Sequence, residues 1–526
     1  MFDIIISGGE VIDGTGSPAI QTDLGIVGET IEAIEDLSQA QSRQIIDAQG
    51  LSVAPGFIDT HTHSEGILLI DPQHANGLLQ GITTEIVGLD GMSFAPLSKE
   101  NYHMYASYLG GLLGNPPLEL DMSSITAFRS HYHRRVAVNL AYLVPHGAIR
   151  LEILGFNDLP LVGESLKTAQ KMLREGLDQG AVGFSTGAIY YPGHWATTDE
   201  LIKMCQTVNE AGSIYVNEPR VGNPRRAFKQ GGVLEGLEIA KRSGVSIHFA
   251  HLKTGIETAG KTEELMSPVD RAKMQGVDCS MDIYPYPTGS STPVSFLPST
   301  IQEGGPHAII DRLRKPNHQK TILKFLKTQS FAKLDQIIFS YLSKRKDLEG
   351  KRLTAISKKR EKCPEQTLCD LLLEEELKIG YVNAPPQNQV LLDCINQDCM
   401  KLLARPDYMV CSDITPMGRW QHPRCYGAFP RFLGRLRRNS KFLSLEEVVN
   451  RMTDNPARRF KLTKRGRLAK GYFADIVVFD PDRVIDQSTY ENPRQFPQGI
   501  TYVLVNGQVA VKQGNCTGVL AGQAVP

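Results

Sequence analysis

Residues 56–65 read GFIDTHTHSE. A Pro-Gly turn (Pro55-Gly56) and an apolar pair, Phe57-Ile58, run directly into two histidines one residue apart. Extended backbone alternates its side chains with a period of two, so His61 and His63 point to the same side, where two imidazoles can grip one divalent ion. A lone histidine is ordinarily a satisfied core or surface residue. Two delivered together by an apolar strand fit the C-terminal rim of a parallel barrel, where such folds gather their reactive groups.

The chain beyond this stretch has the matching rhythm. Apolar runs such as VAVNLAYLVPHG, GAVGFSTG, GSIYVNEP, VSIHFAHLK, VDCSMDIYPY and YMVCSDITP alternate with amphipathic stretches such as ESLKTAQKMLREGLDQG and DELIKMCQTVNEAG. Strand–helix alternation implies parallel βαβ units, and about eight of them imply a closed (β/α)8 barrel. The two ends differ. DIIISGGEVID, DLGIVGETIEAI and QIIDAQGLSVAPG at one end, and FADIVVFDP and GITYVLVNGQVAVKQG at the other, are short β-branched runs broken by Gly turns, an antiparallel pattern. Asn506-Gly507 is a hairpin signal. Neither end holds enough strands to bury a face alone. The expectation is one α/β chain with a small β-sandwich made by residues 1–55 together with 462–526, around a barrel over residues 56–461. A charged helical insertion, about 293–405, interrupts the barrel and is placed to cover its mouth.

Composition excludes several classes. In 526 residues, Lys+Arg and Asp+Glu both number 57, so no basic surface advertises a nucleic-acid or anionic-membrane partner. Hydrophobic residues at 41% and charged residues at 22% describe an ordinary folded enzyme. No apolar run approaches the roughly 20 residues that cross a bilayer. The opening MFDIIISGGEVIDG lacks a basic region before its apolar run, which predicts no secretory signal. Nine unpatterned cysteines read as reduced thiols in a cytoplasm.

Other candidates stand at strand ends. FAHLK offers His251 and Lys253 after His248; VCSDITP offers Asp413; IVGLDG offers Asp90; YVNEPR offers Glu218 beside Arg220; and LVPHGAIR offers His146 and Arg150. Taken singly, a rim carboxylate commonly just caps the next helix. Converging on one mouth, these groups make the nitrogen and oxygen donor set that divalent metals take.

These blocks resemble the amidohydrolase superfamily and, within it, the N-acyl-D-amino-acid deacylase (D-aminoacylase) family. The likeness runs through DIIISGGEVIDGTGSP, GFIDTHTHSE, GFSTGAIYYPG, FAHLK, DIYPYPTGSS, SDITP, HPRCYGAFPRFLGR and MTDNPARRFKLTKRGRLAKGYFADIVVFDP. It implies a (β/α)8 barrel with a sandwich from both termini, metal ligation by His61, His63 and His251, and Asp413 as both ligand and general base. It further implies that Lys253, Tyr284 and Ser290 hold a substrate carboxylate, that Tyr190 lies near the acyl group, and that His422 and Arg424 line the site. Two positions depart from the family pattern: Asp90 stands where a cysteine is usual and Glu218 where a histidine is usual. Two carboxylates in place of a thiolate and an imidazole make a harder site, which moves preference from zinc towards Mn, Fe or Mg without excluding zinc. The resemblance therefore implies a hydrolase acting on the amide bond of small-molecule N-acyl-D-amino acids. Its rivals are another amidohydrolase reaction (a cyclic amide, a dipeptide or a deaminase substrate) and a non-catalytic ligand-binding relative. The sandwich edges and the insertion are the surfaces that could join copies into a homo-oligomer.

Overall fold

The structure is a computed structural model; it describes residues 1–220, 226–328 and 333–526. The N-terminal strands β1 (Phe2–Val11), β2 (Ile20–Val27) and β3 (Thr30–Glu35) pair antiparallel in sequence. The next two, β4 (Ser42–Asp47) and β5 (Ser52–Pro55), instead pair parallel with β1, which departs from the wholly antiparallel pattern read in this end. The reason lies in β1: its register with β2 shifts between Ile6 and Gly9, and β4 pairs with the residues before that break while β5 pairs with those after it. A bulge of this kind bends the strand and frees its two halves for different partners.

The barrel follows, as β6 (Phe57–Asp59), β7 (Ile82–Val87), β8 (Asn139–Pro145), β9 (Gly183–Gly187), β10 (Ile214–Glu218), β11 (Ser246–Phe249) and β12 (Cys279–Ile283). After β12 come β13 (Ser290–Ser291), β14 (Ile337–Leu342) and β15 (Ile379–Asn383), and then the last barrel strand, β16 (Tyr408–Val410). All the pairings from β6 through β12 to β16 are parallel. Strands β7, β8 and β12 are buried at every residue, as expected where helices cover one face and the barrel interior the other. Ile58, Ile86, Leu143, Val216 and Met409, from five different strands, meet in one buried cluster that fills the interior. A single parallel bridge, Thr62 to Ile414, closes the ring between the segments that follow β6 and β16.

The insertion expected to be helical also carries β14 and β15, which form an antiparallel three-stranded sheet with β13 just ahead of it. IIFSYL and IGYVN are short β-branched and aromatic runs that favour strands inside an otherwise charged helical region. Residues 329–332 of the insertion lie outside the described residues.

Beyond the barrel, β17 (Ile476–Phe479), β18 (Ile500–Val505), β19 (Gln508–Lys512) and β20 (Asn515–Cys516) run antiparallel. Pairing of β17 with β5 joins both ends of the chain in one sheet. The β18–β19 turn is Asn506-Gly507, both with positive φ (48° and 76°), as a type I′ hairpin requires. Among the described residues no helix is long and apolar enough to cross a membrane.

Candidate metal centre and substrate cavity

The bridge that closes the barrel also sets the first donors. The His63 N–H donates to the Ile414 carbonyl at 2.9 Å and the Asp413 N–H to the His61 carbonyl at 2.7 Å. His61, His63 and Asp413, which are some 350 residues apart in sequence, are thereby locked side by side by backbone hydrogen bonds. The His61 and His63 Nε2 atoms lie 3.4 Å apart, and the Asp413 Oδ1 is 3.8 Å from one and 3.5 Å from the other.

Asp90 reaches the same place from a turn. In GLDG, residues 88–91, Gly88, Asp90 and Gly91 all have positive φ (79°, 55° and 66°). A side chain at Gly88 would meet the Leu143 carbonyl at 2.3 Å. Across the cleft, a Cβ at Gly187 would stand 2.4 Å from the Asp90 carbonyl. Glycines at both positions let this turn dip into the mouth, and Asp90 Oδ2 comes to 3.3 Å from His61 Nε2 and 3.2 Å from His63 Nε2. His251 (φ 34°) and Asp413 (φ 50°) also hold left-handed backbone. Non-glycine residues rarely adopt it, and such strain gathers where a side chain must be aimed. Glu218, closing β10, puts Oε1 3.6 Å from His251 Nε2. All six expected donors therefore converge.

The electrostatics are those of a shared cation position. Burial disfavours a charged ring at His61, yet Asp90 and Asp413 outweigh it and push its pKa up to about 10. Burial opposes ionisation of Asp90 too, but His61 and His63 hold its carboxyl far below the usual range. Burial, reinforced by Asp90, raises Glu218 well above the usual carboxylate range. Asp90 Oδ1 and Glu218 Oε2 are buried without a hydrogen-bond partner among the described residues. Two imidazole nitrogens facing each other, with carboxylate oxygens 3.2–3.8 Å away, fit a divalent cation at their centre. Behind them, buried carboxylates hold the frame. Asp59 accepts from the His61 N–H and from Ser412, and burial pushes its pKa up to about 8. Asp282 accepts from Thr60 and from His248 Nε2 at 2.9 Å each, and from the His251 N–H.

His248 thus points to Asp282 and Ser280 and not to the donor cluster. His146 and Arg150, on the helix His146–Leu154, both pair with buried Glu200 of the helix Thr198–Glu210, and Arg220 pairs with Glu235 of the helix Gly232–Ser243, so these rim candidates tie the surrounding helices to the barrel.

The donors open onto a cavity of about 570 Å³. Of the residues expected to bind substrate, Tyr190, Tyr284, Ser290 and Arg424 line it. Lys253 and His422 do not. The Lys253 ammonium donates to the Tyr286 carbonyl and lies 4.4 Å from the centre of the Tyr284 ring, and burial pushes its pKa down to about 8. His422 acts one layer back. Its Nδ1 accepts the Arg424 N–H at 3.1 Å, which leaves Nε2–H to donate to the Tyr490 oxygen at 3.1 Å; the Tyr490 hydroxyl in turn donates to Thr288.

Fully buried Arg424 is the pivot of the polar wall. Its Nη1 lies 2.6 Å from Asp413 Oδ2 and its Nη2 donates to Ser290 Oγ at 2.9 Å, while Nε and Nη1 have no aligned hydrogen-bond acceptor among the described residues. Gly289 leaves an opening at this spot: an added Cβ would stand 3.1 Å from the Tyr284 hydroxyl and 3.5 Å from Arg424 Nη1. Such a gap between a phenol and a guanidinium suits a carboxylate. Gly289 escaped the sequence reading, since nothing in TGSS marks it as a cradle; Phe296, Leu297, Phe325 and Tyr381, which also line the cavity, were hidden in the insertion.

Comparison with known proteins accords with this geometry. The Amidohydrolase family model matches residues 375–511. D-aminoacylase of Alcaligenes xylosoxydans xylosoxydans is 30% identical, with 100% of this chain and 97% of that protein covered. The N-acyl-D-glutamate deacylase of the same organism is 34% identical, with 96% and 93% covered. The crystal structure of N-acyl-D-glutamate deacylase from Bordetella bronchiseptica, complexed with zinc and a phosphonate mimic of the tetrahedral intermediate, superposes with a TM-score of 0.83 at 30% identity, over 100% of this chain and 99% of that one. The chain belongs to the D-aminoacylase (N-acyl-D-amino-acid deacylase) family of amidohydrolases.

Proposed function

We propose that this protein is a metal-dependent hydrolase that cleaves the amide of N-acyl-D-amino acids to a carboxylic acid and a D-amino acid. The observation that carries the reading is the adjacency of two features: the six-donor cluster, and the Gly289 opening, where an added Cβ would stand 3.1 Å from the Tyr284 hydroxyl and 3.5 Å from Arg424 Nη1. One suits a cation and the other a substrate carboxylate, a few ångströms apart across Asp413.

His61, His63, Asp90, Glu218, His251 and Asp413 would hold the divalent ion, with Zn, Mn or Fe as candidates because two carboxylates enlarge the oxygen share of the donor set. When bound, the ion supplies polarisation of the scissile carbonyl and acidification of water. The Arg424 guanidinium, shared with Asp413, would join the Tyr284 hydroxyl and Ser290 in holding the α-carboxylate and fixing the amide over the donor cluster. Tyr190, whose hydroxyl is 2.9 Å from Ser291 Oγ, would flank the acyl group. Asp413 has one oxygen against Arg424 and the other towards the imidazoles, so it is oriented to take a proton from the attacking water. It then returns that proton to the leaving nitrogen as the C–N bond breaks. The nine free cysteines support a reducing, cytoplasmic setting.

The test is a substrate screen of metal-reconstituted protein: N-acetyl-D-amino acids, their L-enantiomers, hydantoins, dihydropyrimidines and β-dipeptides. Turnover confined to the D-acylated compounds is expected. Turnover of a cyclic amide with none of the D-acylated compounds would reject the reading.

A further inference from the structure

The loop between β9 and the helix Thr198–Glu210, residues 188–197, brings Tyr190, Tyr191 and His194 to the cavity. Its hydrogen bonds divide in an uneven way. The N–H groups of Tyr190, His194, Trp195 and Ala196 are satisfied within the loop or at its base, by the carbonyls of Gly187, Tyr190, Pro192 and Gly193. The carbonyls at its far end are taken by arginines from outside. Arg150 Nε donates to Pro192 at 3.0 Å and Arg226 Nη1 to Trp195; Arg220 Nη1 donates to Ala196 at 2.8 Å and to His194 at 3.4 Å. Without such donors a buried carbonyl is costly, so these contacts hold the loop to one path.

Arg220 differs from the other two in where it starts. It stands two residues after Glu218, the donor that ends β10, and it is buried without lining the cavity. Its Nε and Nη2 form a fork on Glu235, 3.0 Å to each oxygen, and Glu235 accepts a third bond from Thr198 Oγ1 at 2.7 Å. The Arg220 carbonyl accepts the Gly232 N–H at 2.8 Å, so its backbone is fixed as well. One planar guanidinium thus grips a carboxylate on one edge and two carbonyls on another, a geometry that the point charge of a lysine does not reproduce.

From these carbonyls the connection runs to the cavity. The His194 N–H donates to the Tyr190 carbonyl at 2.7 Å, His194 Nδ1 lies 3.0 Å from the Ala188 carbonyl, and the Tyr190 hydroxyl is 2.9 Å from Ser291 Oγ. At the loop's base, Gly187 is pressed against the Asp90 turn. Both ends of the loop are therefore referenced to donors of the cation site, Asp90 at one and the Glu218 strand at the other. Tyr190 is carried between them.

Resting on the deacylase reading, we propose that Arg220 is a positioning residue for the reaction: through the His194 and Ala196 carbonyls it fixes the Tyr190 hydroxyl against the acyl group, without touching substrate itself. A loop released at Ala196 leaves the donor cluster intact and misplaces one side chain of the wall, and small misplacements of this kind are expensive in rate.

The experiment is a pair of double-mutant cycles in kcat/KM, on protein with matched metal content and with the N-acetyl-D-amino acid that wild type turns over fastest. One cycle joins Arg220→Lys to Tyr190→Phe and the other joins Arg220→Lys to Gly289→Val. If Arg220→Lys does not fold, the neutral pair Arg220→Met/Glu235→Gln replaces it in both. Arg220→Lys is expected to cost about 10-fold with metal content unchanged, and Tyr190→Phe about 20-fold. Behind Tyr190→Phe, the Arg220 change should cost less than about twofold, whereas behind Gly289→Val it should keep its full cost. A residue that merely supports the fold would give additive costs in both cycles. The proposal is overturned by that result, by loss of metal in the Arg220 variant, or by Arg220→Lys or Tyr190→Phe within about twofold of wild type. Each of those outcomes leaves the deacylase reading standing, whereas no hydrolysis of any D-acylated compound by metal-loaded wild type removes both.

Discussion

At the polar end of the cavity each donor comes from the last residue of a barrel strand or a few residues beyond it: His61 and His63 after β6, Asp90 after β7, Glu218 in β10, His251 after β11 and Asp413 after β16. At the apolar end Phe296, Leu297, Phe325 and Tyr381 come from a short helical turn, a helix and the central strand of the three-stranded sheet, none of them a barrel strand. The first set is aimed by the parallel ladder, by the Thr62–Ile414 bridge and by left-handed backbone at three of its members. The second is held by side-chain packing and, at Tyr381, by the small antiparallel sheet of the insertion. Chemistry built on the ladder tolerates little displacement, whereas a packed wall can exchange side chains and keep its shape.

Substitutions should divide along that line. Asp413→Asn keeps the shape and removes the proton acceptor, so kcat/KM is expected to fall by about 1,000-fold in a protein that still folds, with a thermal transition lowered by loss of the buried pair with Arg424. Retention of a tenth of the activity would break the distinction, because the ladder-borne groups would then not be carrying the chemistry. Gly289→Val fills the gap between Tyr284 and Arg424; Gly289 does not need positive φ, so the loss is one of space. KM is expected to rise by about 30-fold with kcat within a few-fold, the signature of a lost ground-state contact. A fall in kcat alone would move the carboxylate elsewhere.

Asp90→Cys combined with Glu218→His softens the donor set. Competition between zinc and manganese, read by metal content, should shift about 10-fold towards zinc. An unchanged ratio would mean that these two residues do not coordinate. Tyr490→Phe removes the hydroxyl that accepts from His422 and donates to Thr288, so Arg424 is held less firmly. KM should rise by about threefold with kcat unchanged, the smallest effect of the series.

How far the sequence reveals this site follows from the same division. The donors are legible because period-two spacing in THTH and the strand-end position of SDITP report a side chain's direction before any tertiary structure is known. His248, His146 and Arg220 have equally good strand-end positions, yet they turn to Asp282, Glu200 and Glu235. Sequence position gives the rim but not which way around it a ring faces. Lys253 and His422 illustrate the limit from the other side: both lie in matching blocks, but one caps the Tyr286 carbonyl and the other buttresses Arg424. Phe325 left no trace, since an aromatic on an amphipathic helix reads as core until the helix is docked. The parallel pairing of β4 and β5 was hidden for a similar reason, because it depends on the irregularity in β1 and not on any local pattern.

The central claim is the cation at the barrel mouth, and metal content tests it most directly. Elemental analysis of protein purified without chelator, beside the double variant His61→Ala/His63→Ala, is expected to find at least one equivalent of a divalent transition metal per chain in the wild type and its loss in the variant, with both proteins folded. Wild-type protein carrying less than about 0.1 equivalent, and taking up none on reconstitution, would contradict the account.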